Sequence, residues 1–157
     1  MSESAGHTRG ETVPGNNIEI RLVKTAPVDA LTALYKDAGW WEGAYDDAHE
    51  FLEKIPGDSA LFAGAFDGGA MIGMGRALSD LSSDAYIQDI AVLKSHRGRG
   101  IGRRIVQALV RELKGRGVDW IGLVGEPGTR SFYEHMGFRE MKGYIPFKLE
   151  VQDEPET

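Results

Sequence analysis

A chain of 157 residues, 41% of them hydrophobic, is long enough for one domain with a substantial core. It has no cysteine, which excludes disulfides, a thiolate metal site and a covalent Cys intermediate. A net charge of −6 argues against general nucleic-acid binding, and no apolar run approaches the roughly 20 residues of a membrane span. Residues 1–17 are polar, with Gly and Pro and without an apolar secretory segment, and are predicted to be a disordered tail. One domain is predicted over 18–150, followed by an acidic tail over 151–157. The absence of cysteine is compatible with the cytosol, and a cytoplasmic protein with no membrane or nucleic-acid partner is expected.

Ile18 to Val23 alternates and predicts a first strand. Thr25 is the candidate N-cap of a helix with Pro27 in its first turn, a stripe of Val28, Leu31, Leu34 and Tyr35, and a stop at Gly39. Trp40 to Tyr45 is an aromatic loop. A second helix is predicted from Asp46 to Ile55, closing before Pro56. Ser59–Phe66 and Met71–Leu78 predict two strands joined by Asp67-Gly68-Gly69, a good hairpin turn.

The central stretch runs from Tyr86 to Leu113. Tyr86–Leu93 suits a half-buried strand interrupted by Gln88 and Asp89. From Ile101 the apolar residues Ile101, Ile105, Val106, Leu109, Val110 and Leu113 fall at helical spacing. Between them lies Arg97-Gly98-Arg99-Gly100-Ile101-Gly102. Such a turn frees backbone N–H groups at a helix start, its glycines admit an anion closely, and the helix dipole favours negative charge there. With Arg103 and Arg104 adding cationic charge, the physical reading is a pyrophosphate cradle; the bland alternative is a solvated basic turn. Beyond it, Val118–Val124 predicts a strand. Glu126-Pro127-Gly128 opens a helix that carries Phe132 and Tyr133 and ends at Gly137, and Phe138–Met141 and Tyr144–Val151 predict two last strands.

The Arg97–Gly102 run fits the [Q/R]-x-x-G-x-[G/A] signature of the GNAT superfamily of acyl-CoA N-acyltransferases. Ser131–Phe138 resembles that family's second signature, a helix with a tyrosine followed by a Gly-Phe turn. The resemblance covers roughly Ile18 to Leu149. It implies an α/β (α+β) GNAT fold, a mixed, mostly antiparallel twisted sheet of about seven strands flanked by about four helices. It also implies acetyl-CoA as co-substrate, no metal, and a small-molecule or peptide amine as acceptor. Homodimers are common in such families, although this sequence carries no interface signal of its own.

The resemblance also distributes roles. Backbone groups of Arg97, Gly98, Arg99, Gly100, Ile101 and Gly102 would hold the coenzyme A pyrophosphate, with Arg103 a further cofactor-binding residue by its charge. Ile90, Ala91 and Val92 would lie where the strand bulges and pairs with the pantetheine amides. Tyr133 would protonate the leaving thiolate, the alternative being a core tyrosine beside Phe132, the better core candidate. Asp89, a charge in an apolar strand, is the candidate base and a substrate-binding residue, with water as the alternative base and a structural ion pair as the alternative role. Trp40, Trp41 and Tyr45 sit where the acceptor pocket is built, and aromatic faces suit a cationic or aryl amine; a loop packed on the sheet edge is the plainer reading. Gly39-Trp40, Gln88-Asp89 and Glu126-Pro127 are similar to a subgroup that includes arylalkylamine acetyltransferases. Glu126 stands where many members carry asparagine, and N-capping is its plainest role. His7, His49, His96 and His135 show no metal spacing, though His96 borders the cradle. Two rivals to an enzyme are a non-catalytic acyl-CoA sensor and a nucleotide- or nucleic-acid-binding module.

Overall fold

The computed structural model describes residues 17–41 and 49–151. Tyr45, the predicted start of the second helix at Asp46, and most of both tails lie outside them.

Five strands form one sheet in the order β1-β2-β3-β4-β5: β1 Ile18–Leu22, β2 Leu61–Asp67, β3 Ala70–Ser79, β4 Asp84–Val92 and β5 Trp120–Gly122. The first three pairings are antiparallel and β4–β5 is parallel, so the mixed sheet expected from the resemblance is present. Helices α1 (Val28–Asp37) and α2 (His49–Asp58) come between β1 and β2, and α3 (Ile101–Gly115) between β4 and β5.

Side-chain size decides which helix packs on which face. Phe62, Phe66 and Met74 share a core cluster with Leu31 and Leu34 of α1 and Leu52 of α2. The alternate positions of the same strands are small. A Cβ on Gly73 would stand 3.1 Å from both Ala65 Cβ and Ile105 Cδ1, and one on Gly75 would strike Ile90 and Ile105. The glycines thus let α3 lie close against the sheet. Of the stripe read from the sequence, Ile101, Ile105, Val106, Leu109 and Leu113 are sealed and Val110 is half-buried. A fully buried side chain of this size is worth about 1.5–3 kcal/mol.

Several boundaries move. Pro27, not Thr25, is the N-cap of α1, and its carbonyl accepts from Leu31 N–H. Helix α2 runs through Pro56 to Asp58. In the last turn a proline removes one hydrogen bond without stopping the chain, and the following Ser59 still returns its N–H and hydroxyl to the Ile55 carbonyl. The predicted strand Val118–Val124 contracts to three residues.

The chain divides into two compact units, the first ending at Leu123 and the second beginning at Val124. In the second, α4 is a short helix, Arg130–Glu134, and Gly137 takes the left-handed φ of +96° expected after a helix end. The two last strands predicted at Phe138–Met141 and Tyr144–Val151 do not form, so among the described residues the sheet has five strands rather than about seven. Ile145, Phe147, Leu149 and Val151 keep a two-residue alternation but are exposed. Alternation marks a chain able to be a strand; the ladder needs a neighbour.

Candidate active site

The glycine turn is built as an anion cradle requires. Gly98 and Gly100 take φ of +77° and +74°, and a Cβ on either would meet nothing within 4 Å. Backbone conformation, not crowding, therefore calls for glycine, and the space over the turn is open. Gly100 is the N-cap of α3, and among the described residues no side chain caps that helix. The first N–H groups of a helix have no partner one turn back, so those of Ile101, Gly102 and Arg103 face outward with the positive end of a 15-residue helix behind them. A diphosphate fits this start.

The arginine side chains divide. Arg97 is held along the surface, donating Nε–H to Val92 O at 2.9 Å and Nη2–H to Asp37 O at 3.3 Å. Arg104 reaches across to Ile18 O at 2.9 Å. Arg99 makes one long bond to Ser95 O, 3.5 Å, and Arg103 points to solvent. Two of the four guanidiniums thus tie the cradle to β4, α1 and β1. His96, which borders the turn, is engaged as well: Nε2 lies 2.8 Å from Asp67 Oδ2 in the β2–β3 hairpin and Nδ1 2.7 Å from Ser95 Oγ.

The cradle continues a strand with an open side. Strand β5 pairs with Asp84, Ala85 and Tyr86, so among the described residues β4 has only β3 beside it in the sheet from Ile87 to Val92. Main-chain groups on that side suit an added extended ligand. The same stretch contains a bulge. Arg76 pairs with Gln88 and Met74 with Ala91, so Gly75 stands opposite both Asp89 and Ile90. Asp89 takes a φ of +55°, a left-handed conformation rare outside glycine. Ile90 keeps its side chain against α3, whereas Asp89 swings away from that helix to meet Tyr35 of α1 and Arg76 of β3.

There the Asp89 Oδ2 atom accepts from Tyr35 Oη at 2.7 Å and from Arg76 Nε at 2.7 Å. Both charged side chains are about one-fifth exposed, 20% for Arg76 and 23% for Asp89, so the pair is reachable yet mostly out of water. Burial, with the Asp89 carboxylate beside it, pushes the Tyr35 phenol far up, and it stays a hydrogen-bond donor. Trp40 packs edge-on to Tyr35, with ring centroids 6.0 Å apart, and so joins the group. Trp41 lies under Lys36, whose Nζ is 5.4 Å from its ring, and both tryptophans pack against the core cluster. The aromatic loop is therefore partly structural, and Trp40 is the member that leads to Asp89.

Tyr35 and Arg76 are the residues the sequence reading missed. Tyr35 reads as one more position of the α1 stripe. Arg76 stands alone in the run Met-Ile-Gly-Met-Gly-Arg-Ala-Leu, and a lone arginine in a buried strand is a signal that it has a carboxylate partner.

Tyr133 stands on α4 in the second unit. It is half-buried between Phe132 and Phe138, with ring centroids 4.9 and 5.8 Å away. Phe132, expected to be the core residue of the two, is the more exposed one. Burial, and secondarily the Glu126 charge, push the Tyr133 phenol up, so it stays protonated at neutral pH. Thr129 rather than Glu126 is the N-cap residue of α4, and the Glu126 carbonyl accepts from its hydroxyl at 2.6 Å. Among the described residues no three His, Cys, Asp or Glu side chains gather as a metal site would need.

Comparison with known proteins agrees with this geometry. The model of the acetyltransferase (GNAT) family matches residues 25–138. An uncharacterised N-acetyltransferase of Prochlorococcus marinus is 34% identical over 126 residues, covering 77% of this chain and 68% of its own. The chloroplastic serotonin N-acetyltransferase 2 of Oryza sativa subsp. japonica is 37% identical over 70 residues, which cover 45% of this chain and 35% of that one. Such shorter matches span only 26–39% of the relatives' own length. Among solved structures, a GNAT-family acetyltransferase of Streptococcus pneumoniae superposes with a TM-score of 0.68 at 25% identity, over 87% of this chain and 98% of that one. An AAC(6')-Iy complex with a CoA-acetylneamine bisubstrate analogue shares the fold, with a TM-score of 0.67 at 22% identity over 85% and 99%. An uncapped glycine turn after a bulged, half-open strand, in a chain matched over most of its length by that family model, places this protein in the GNAT family of acetyltransferases.

Proposed function

We propose that the protein is an N-acetyltransferase that moves the acetyl group of acetyl-CoA to a primary amine by direct attack in a ternary complex. The observation that carries this is the continuity of the open side of β4 with the uncapped start of α3: an extended thioester arm and a diphosphate need those two features in that order. Acetyl-CoA supplies the activated acyl carbon. In the step itself the N–C bond forms and the C–S bond breaks. The proton lost by the nitrogen passes to Asp89 or water, and Tyr133 protonates the departing thiolate. A raised Tyr133 pKa suits an acid that must be loaded at neutral pH. A backbone N–H near Ala91 or Val92 would steady the oxyanion.

For the acceptor, the rice relative is named for serotonin and the bisubstrate complex contains acetylneamine. Both point to small primary amines, and the Asp89 carboxylate, about one-fifth exposed, suits their ammonium groups. The test is thiol release from acetyl-CoA over a panel of amines, repeated with Tyr133→Phe. A transferase loses rate in the variant while coenzyme A affinity holds. Absence of thiol release from every amine, with coenzyme A still bound, would make the protein an acyl-CoA sensor.

A further inference from the structure

The Tyr35–Asp89–Arg76 group joins three elements, α1, β4 and β3, at the one position where β4 departs from regular geometry. A non-glycine residue at φ +55° costs of order 1–3 kcal/mol and persists only where its surroundings hold it. The surroundings here are two donors at 2.7 Å on the same oxygen. Without the bulge the alternation of β4 would direct residue 89 at α3, where Ile90 instead packs. The guanidinium and phenol therefore fix which way the carboxylate points, and they do so through Oδ2 alone.

Resting on the transferase reading, we propose that Arg76 and Tyr35 are positioning residues of the acceptor site. They clamp Asp89 by Oδ2 so that its other oxygen receives the ammonium of the acceptor. Arg76 is thus a tether and not merely a counter-charge, and the two roles predict opposite signs. As a counter-charge, Arg76 opposes a cationic acceptor, so its removal would tighten acceptor binding. As a tether, its removal frees the carboxylate to rotate and weakens binding. Lysine restores a donor and the charge without the fixed fork of the guanidinium.

The test is steady-state kinetics of the full chain with acetyl-CoA and phenethylamine, tryptamine, spermidine, L-lysine and kanamycin, followed on whichever amine the parent acetylates fastest. Arg76→Met is expected to raise the acceptor KM about tenfold or more and to leave the acetyl-CoA KM within about twofold. Arg76→Lys should recover at least half of that loss on a logarithmic scale, and Asp89→Asn should reproduce it. Tyr35→Phe removes one hydroxyl and keeps the ring against Trp40; it should raise the acceptor KM about threefold or more, and it serves if Arg76→Met does not fold. A fall in acceptor KM in Arg76→Met, or equal rises in both KM values together with a lowered Tm, overturns the assignment. An unchanged acceptor KM in Tyr35→Phe does so as well. If the parent acetylates none of the five amines, the transferase reading itself fails and takes this one with it.

Discussion

Gly100→Asp separates the helix start as a structural element from the helix start as a ligand site. Gly100 takes φ +74° and ψ +13°. A side chain in that left-handed region costs roughly 1–2 kcal/mol, less for Asp and Asn than for other residues. No steric term adds to it, because a Cβ there meets nothing within 4 Å. Against the strain stands the dipole of α3, which no side chain caps at present; an anion at a helix start gains about 0.3–1 kcal/mol. The free protein should therefore lose at most about 1 kcal/mol, or about 2–4 °C in Tm for a chain of this size. Coenzyme A should respond quite differently, since the new carboxylate occupies the place of the diphosphate. At a ligand concentration of 100 Kd the parent gains about 2.7 kcal/mol; a variant with tenfold weaker binding gains about 1.4 kcal/mol at the same concentration. Thermal melts with and without coenzyme A, backed by calorimetric Kd values, read both quantities. A variant whose coenzyme A stabilisation equals the parent's would refute the cradle.

Tyr133→Phe should cut kcat by about 10²-fold or more, as loss of a general acid does, with the coenzyme A Kd unchanged. Because burial raises the Tyr133 pKa above its ordinary value of 10.0, the alkaline fall in rate due to its deprotonation should lie above pH 10, and a pH–rate profile of the parent checks this. Leu109→Ala, at a side chain with 0% exposure between α3 and the sheet, should cost about 2–5 kcal/mol in a denaturant melt. Asp80 accepts from Ser82 and Ser83 N–H and from the Ser83 hydroxyl, and these bonds lower its carboxyl pKa below the usual 3.8. A lowered folded-state pKa stabilises above the unfolded value and loses that contribution as pH falls through the folded one. Asp80→Ala should thus be less stable than the parent at pH 7, with the difference shrinking as the pH falls below the ordinary carboxyl value of 3.8 in a pH series of melts.

Local patterns in the sequence already determined much of this protein. The α3 stripe, the glycine turn before it, the hairpin at Asp67–Gly69 and the Gly137 helix end are decided within a few residues of themselves, by helical periodicity and by positions that need a positive φ. The fold class followed because those local pieces come in one order. What only the tertiary structure decided depends on partners distant in the chain. Tyr35 and Arg76 converge on Asp89 from 54 and 13 residues away, and no spacing in the sequence announces that meeting. The side chains of Arg97 and Arg104 read as cationic charge around the cradle, but their fixed forks found carbonyls at the ends of β4, α1 and β1. The apolar alternation of Ile145 to Val151 reads as a strand, yet a strand is a property of two chains side by side, and no ladder forms there. Periodicity fixes which face of a segment is apolar; only packing fixes what that face meets.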